Sequence, residues 1–104
     1  MPKTREATKI LDRQTGRDEE LRRMIAQETL NARVAQLIYE ARTAAGLTQA
    51  ELARLIGTKQ PVVARLEDAD YQGHSLSMLQ RIASALNLRL EIHFAPGDKR
   101  QAAA

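Results

Sequence analysis

Thr48-Gln49-Ala50-Glu51-Leu52-Ala53-Arg54-Leu55-Ile56-Gly57-Thr58-Lys59-Gln60-Pro61-Val62-Val63-Ala64-Arg65-Leu66-Glu67 reads as a helix, a glycine turn and a second helix. Thr48 followed by Glu51 is a capping box, in which the hydroxyl satisfies an orphan amide and the carboxylate reaches back. Leu52, Leu55 and Ile56 recur at helical spacing and predict one apolar stripe. Ala53 leaves room for a crossing helix. Gly57, four residues later, can take the positive φ that stops a helix and begins a sharp turn. Val63 and Leu66 give the second helix its own inward face. Five positions agree on one geometry.

The totals set the frame for this stretch. One hundred and four residues suit a single domain with tails. Apolar residues make up 43% but aromatics only 3%, so Leu, Ile, Val and Ala must do the packing, which favours closely packed helices. A net charge of +3 and a pI near 9.7 are compatible with a polyanionic partner without requiring one. With no cysteine, a disulfide scaffold and a thiolate metal site are excluded, and a reducing cytoplasmic setting fits. No apolar run approaches the roughly 18 residues that span a bilayer, so no membrane association is expected. The opening Met1-Pro2-Lys3-Thr4 lacks the apolar segment of a secretory signal.

Outward from the quoted stretch, residues 1–30 form a charged N-terminal helical extension. Ala7, Ile10 and Leu11 make a weak stripe there, and Gly16 is expected to break it. Asp18 can then cap a helix carrying Leu21, Met24 and Ile25. Asn31 either caps a separate helix or interrupts a continuous one across 17–45. Val34, Leu37, Ile38 and Ala41 recur at three- and four-residue steps up to Gly46. After the second helix comes a polar loop, Asp68 to His74. Ser75 caps a further helix with Leu76, Leu79, Ile82, Ala83 and Leu86 inward, and Asn87 can close it in the left-handed conformation.

The period then changes from 3.6 to 2. Leu88, Leu90, Ile92 and Phe94 alternate with Arg89, Glu91 and His93, which predicts a half-buried strand over 88–95. Pro96-Gly97 ends it, and 96–104 reads as a disordered tail. No other stretch alternates comparably, and an unpaired strand with an apolar face is a liability. Pairing with its own copy across a two-fold axis resolves this and makes a homodimer. The apolar face of the strand should then lie on the helices.

Only outward side chains of a helix in the major groove can reach base edges. If Val63 and Leu66 point inward, then Gln60, Pro61, Ala64 and Arg65 point away from the core. Gln60 can bond adenine at two atoms, and Arg65 can bond guanine or a phosphate. Ala64 and Val62 can touch a thymine methyl. Thr58 and Lys59 at the helix start are placed for phosphate, as are Thr48 and Gln49 in the first turn of the preceding helix. Alone, each of these is an ordinary solvated residue; the motif gives the set its meaning.

The stretch from Val34 to Leu88 resembles the DNA-binding domain of lambdoid phage repressors and Cro, the XRE family. The resemblance rests on Arg42, the run Gly46 to Ala53, Gly57-Thr58, Gln60, Val63, Glu67 and Ile82 to Leu86. It implies a mainly α fold: a five-helix repressor-like helix-turn-helix domain over 31–87. The extension precedes that domain, and one C-terminal strand pairs across a dimer. It further implies phosphate contact by Gln49 and base reading by Lys59, Gln60, Pro61 and Arg65. Arg42 would pair with Glu67 as a structural lock. Pro61 departs from the pattern, because relatives often carry a polar reader there and proline cannot donate to a base. Readout should therefore rest more on Arg65 and on DNA shape. The charged extension, Tyr71-x-Gly73-x-Ser75-Leu76 and the terminal strand are similar to HigA-like antitoxins of type II toxin–antitoxin modules. That similarity implies an autoregulating repressor of operator DNA that neutralises a small basic RelE/HigB-like ribonuclease toxin. Contact would be through residues 1–30 or the strand region.

Other chemistry finds little support. His74 and His93 are the only histidines, and a metal site needs three or four convergent ligands. His74 reads as a second capping contact for the helix that follows. Asp68 and Asp70 suit termination of a helix, and Ser75 and Ser77 have no base placed beside them. Neither enzyme activity nor a cofactor is expected. The competing readings are a stand-alone dimeric regulator without a toxin and a helix-turn-helix interaction scaffold.

Overall fold

The computed structural model describes residues 4–97, with side chains from residue 16 onward. The expected Ala7, Ile10 and Leu11 stripe and the end of the tail lie outside the residues so described. Four helices follow one another: α1 Thr4–Ala44, α2 Gln49–Leu55, α3 Gln60–Leu66 and α4 Leu76–Ala85. The described residues thus form four helices where five and an extension were expected: the extension runs unbroken into the first domain helix, and no fifth domain helix follows α4 among the described residues. Gly16 does not break α1, and Asn31 lies inside it. A single helical glycine costs only about 1 kcal/mol relative to alanine, and the neighbouring Arg, Glu, Leu and Gln residues are good helix formers. At about 1.5 Å per residue, these forty-one residues account for the molecule's 63 Å long axis.

The core is small and sits around α2. Leu52 and Val63 are completely buried, and Ile38, Ala53, Ile56, Leu66 and Ile82 close around them. Ala53, 2% exposed, is the small residue in this cluster, and α2 packs on both α3 and α4. Two expected inward positions fall outside the core. Leu55 is 56% exposed, because at 100° per residue it lies on the flank of a stripe centred between Leu52, Ala53 and Ile56. Leu76 opens α4 and is also exposed. Tyr71, read as part of a polar loop, instead packs on the core and meets the His74 ring edge-on at 5.0 Å. His74 caps a different helix from the one expected: its Nε2 donates to the Leu66 carbonyl, 2.7 Å away, at the end of α3.

Three helices end in the same way. Gly46 and Gly57 both have φ of 73°, and Asn87 has φ of 58°. In each case the following amide reaches back five residues: Leu47 to Arg42, Thr58 to Ala53, and Leu88 to Ala83. The turn residue itself bonds three residues back, which completes a Schellman closure and satisfies two orphan carbonyls. The segment from 88 to 97 carries no strand assignment, and none of residues 89–97 makes a backbone hydrogen bond among the described residues. Leu90 is half-buried, whereas Leu88, Ile92 and Phe94 are exposed, so the apolar face is not covered by the helices as expected. Residues 88–92, without Phe94, form one wall of a groove of about 500 Å³ floored by Val34, Leu37 and Ala41 of α1, Leu79 of α4 and Leu86 just after it.

Around the Gly57 Cβ position there is open space, so Gly57→Ala tests backbone strain alone. It should cost about 1–2 kcal/mol in urea denaturation, and Asn87→Gly should not destabilise. The capping box gives a pH test. Thr48 N–H donates to Glu51 Oε1 at 2.9 Å, and Glu51 N–H to Thr48 Oγ1 at 3.0 Å. The bond from the Thr48 amide, and next the Thr48 side chain, hold the Glu51 carboxyl below its ordinary 4.5. A lowered native value means the contribution is present above 4.5 and lost as pH falls through the native value. Thermal melts should show stability declining on acidification below 4.5, with a shallower decline in Glu51→Gln. Equal slopes in the two proteins would remove Glu51 from that account.

Candidate nucleic-acid interface

Helix α3 is seven residues long, about 10 Å at the usual rise. Isolated, so short a helix does not persist in water, so its position is imposed by what it packs on. Val63 and Leu66 anchor it in the core, 0% and 3% exposed. Lys59 caps it with extended backbone, and Pro61 stands in the first turn, where its missing donor costs nothing. Gln60, Pro61 and Arg65 are exposed, as is Lys59. Ala64 and Thr58 are half-buried. Val62 is half-buried as well and packs against the core cluster, which turns much of it away from any thymine methyl.

The far end of α3 is held by Glu67, the residue after its last turn. Arg42 Nε donates to Glu67 Oε2 at 2.6 Å and Nη2 to Oε1 at 2.9 Å, a two-pronged pair between α1 and α3. The third guanidinium nitrogen, Nη1, donates to the Leu47 carbonyl at 2.7 Å and fixes the α1–α2 turn. The Tyr39 ring lies 5.4 Å from the guanidinium carbon. Both side chains are almost wholly buried, 10% and 4% exposed. The hydrogen bond to Glu67 raises the Arg42 pKa above its ordinary value, against the opposing effect of desolvation. This pair places an arginine in a stripe that sequence periodicity assigned to Val34, Leu37, Ile38 and Ala41. The buried row of α1 is in fact Ala35, Ile38 and Arg42, and Leu37 is left 52% exposed.

From Glu67 a polar chain runs to the surface. Gln49 Nε2 donates to Glu67 Oε1 at 3.1 Å, and Gln60 Nε2 donates to Gln49 Oε1 at 2.8 Å. A carboxylate accepts only, so Gln49 must offer it the NH₂ end, and its oxygen must then face Gln60. Gln60 in turn is left with its carbonyl oxygen and one N–H free at the exposed face. That is a donor and an acceptor side by side, which matches the N7 and N6 edge of adenine. Gln49 keeps one N–H, and the Thr48 hydroxyl, which accepts from Glu51, keeps its own hydrogen. Both can donate to phosphate. Sequence reasoning missed this relay between Gln49 and Gln60. Their spacing of eleven residues carries no signal until two helices cross.

The remaining candidates have local roles. Asp68 Oδ1 accepts from the Asp70 amide at 2.9 Å, a turn contact. Glu91 binds Arg89 and His93 on its own segment, the latter at 3.1 Å. Among the described residues no cluster of His, Asp or Glu could hold a metal ion, and no helix is long and apolar enough to cross a membrane.

The helix-turn-helix family profile matches residues 38–92, more than half of the chain. The match begins in the last turns of α1, covers α2 to α4 and enters the extended segment. No curated protein matches the chain.

Removing Arg42 would leave the buried Glu67 carboxylate without a cation. Arg42→Ala should therefore lose on the order of 3 kcal/mol or more, seen as a fall in melting temperature of more than roughly 10 °C for a domain of this size. Replacing both partners by apolar residues, Arg42→Met with Glu67→Leu, should recover much of that loss. If Arg42→Ala melts like the parent protein, the pair does not hold the fold.

Proposed function

The chain belongs to the XRE-type helix-turn-helix family of DNA-binding regulators, and from that premise we propose that it is a homodimeric repressor that reads operator DNA through α3. The observation that carries this reading is the division of α3 into a buried side, Val63 and Leu66, and an exposed side, Gln60, Pro61 and Arg65. A rod held at both ends, with a polar outer side, meets the requirement for entry into a groove about 12 Å wide. Arg65 and Gln60 read base edges, while Lys59, Thr58, Gln49 and Thr48 sit on phosphates. Two copies related by a two-fold axis place their α3 helices in successive major grooves, with half-sites about 34–36 Å apart. Phosphate contacts supply much of the affinity, so binding falls steeply with salt. The protein acts in the cytoplasm, without a cofactor and without enzyme activity.

Within this reading the chain is the antitoxin of a type II toxin–antitoxin operon. The supporting observation is the first part of α1, where Leu21, Met24, Ile25 and Leu30 are each more than half exposed. A small basic ribonuclease toxin is the partner this surface would take, through the acidic run Asp18-Glu19-Glu20 beside it. Co-purification with the product of an adjacent gene tests this. If the chain purifies alone from its native operon, the stand-alone regulator is the correct reading.

For the DNA interface, Arg65→Ala and Gln60→Ala should each weaken binding to the specific site by roughly 1–3 kcal/mol and relax sequence preference. Lys59→Ala should weaken specific and non-specific DNA alike and reduce the salt slope by about 1. Gel shifts or fluorescence anisotropy over a salt series separate the two behaviours. Unchanged affinity and preference in both Arg65→Ala and Gln60→Ala would refute the assignment of α3 as reader.

A further inference from the structure

We infer that His74 is a positioning residue for DNA reading: by holding the last carbonyl of α3, it fixes where Arg65 meets the duplex. That role rests on the reading of α3 proposed above and extends it to a residue outside the helix.

Among the described residues, α3 is the one helix that ends without a left-handed turn. Gly46, Gly57 and Asn87 close the other three, whereas Glu67 after α3 has φ of −92° and ψ of 2°. The backbone closure of α3 is partial. The Glu67 amide reaches Val63 and Arg65, and the Asp68 amide reaches Arg65 at 3.1 Å. Among the described residues no backbone amide donates to the Leu66 carbonyl. The last carbonyl of a helix packed on the core needs a donor, and His74 Nε2 supplies it at 2.7 Å. A carbonyl only accepts, so the ring proton sits on Nε2 and Nδ1 is the bare nitrogen. Nδ1 is buried and makes no hydrogen bond. One nitrogen is thus satisfied and the other is not, so neighbouring groups must hold the ring in place.

The loop before α4 does so. Tyr71 packs on the core cluster and meets the imidazole edge-on at 5.0 Å. Its amide donates to the Asp68 carbonyl at 3.0 Å, which folds the chain back, and its hydroxyl donates to the Gly73 carbonyl at 3.2 Å. Gly73 leaves room for the ring, since a Cβ there would overlap the Tyr71 hydroxyl and Cζ. Core, tyrosine, imidazole and the Leu66 carbonyl thus form one line of contacts that ends beside Arg65.

The two ends of the exposed side of α3 are therefore governed separately. At its start, Gln60 is directed by Gln49 at 2.8 Å. At its end, Arg42 holds the Glu67 side chain, and His74 holds the main chain one residue from Arg65. Gln60 and Arg65 stand about 7.5 Å apart along the helix axis, far enough to address different base pairs. Losing the His74 donor frees the Arg65 end and spares the Gln60 end.

In the full chain, His74→Phe keeps a ring beside Tyr71 and removes the donor, and His74→Gln returns an N–H near the Nε2 position. Selection from a pool of random DNA duplexes gives base preference position by position. Arg65→Ala and Gln60→Ala mark the positions that each residue reads. His74→Phe should bind the site selected by the parent about tenfold more weakly, the scale of one bidentate base contact. Preference should fall at the positions marked by Arg65 and stay at those marked by Gln60, with non-specific affinity unchanged. His74→Gln should recover most of the loss. In an Arg65→Ala background His74→Phe should cost nothing further, because the two residues act as one unit. If His74→Phe folds poorly, NMR of the parent labelled with heavy nitrogen supplies the second arm: the imidazole should carry a slowly exchanging proton on Nε2. A proton on Nδ1, or rapid averaging between the two nitrogens, overturns the capping contact. Selectivity equal to the parent's in His74→Phe, or a loss spread evenly over every position and non-specific DNA, overturns the positioning role. A parent that still selects a site through Arg65 and Gln60 then leaves the reading of α3 standing, whereas a parent that selects no site removes both.

Discussion

The pair between Arg42 and Glu67 is where the long helix, the turn after it and the end of α3 are brought into a single arrangement. Hydrophobic packing alone could hold a seven-residue helix in several rotations, since Val63 and Leu66 offer only two anchors. A planar guanidinium bonded at two atoms to a carboxylate admits far fewer. Ion pairs withdrawn from water contribute little net stability compared with apolar replacements of equal volume. Their value here lies in orientation: one carboxylate fixes the rotation of α3 and, through Gln49, the direction in which the Gln60 amide presents its donor and acceptor.

Local closures make that arrangement reachable. Three of the four helices stop in the same left-handed turn, and two of the four start on a Thr or Ser side chain that accepts from the third residue of the helix. Helices α2 and α3 are too short to be stable by themselves, so fixed ends matter more than length. With so few aromatics, the core relies on Leu52, Val63 and small neighbours such as Ala53, which let α2 sit closely among the other helices. The result is a compact centre from which a much longer helix projects.

The two sides of this centre differ in character. The α3 side is polar and carries amides and cations whose directions are set from within. The surface between α1 and α4 is apolar and bordered by an extended segment. Both derive from the same choice in α1: with Arg42 buried, Leu37 and Ala41 line the groove, and Val34 lies between groove and core. A polar residue drawn inward for the sake of α3 thus leaves apolar residues facing outward along the groove.

Much of this was legible in the chain because its causes are local. The Thr48–Glu51 cap, the turns at Gly46, Gly57 and Asn87 and the burial of Leu52, Val63 and Leu66 depend on residues within one or two helical turns of each other. The helix-turn-helix could be read from those signals. Tertiary structure decided the rest. Gly16 and Asn31 stayed helical because one unfavourable residue costs less than breaking a helix of good formers. Leu55 and Leu76 were left in solvent because periodicity gives a stripe but not its centre. The Arg42–Glu67 partnership was named by the family resemblance, but the rotation of α1 that goes with it and the Gln49–Gln60 bond came from the crossing of helices. Distances of that kind exist only after the chain has folded, so no local pattern of residue types could have carried them.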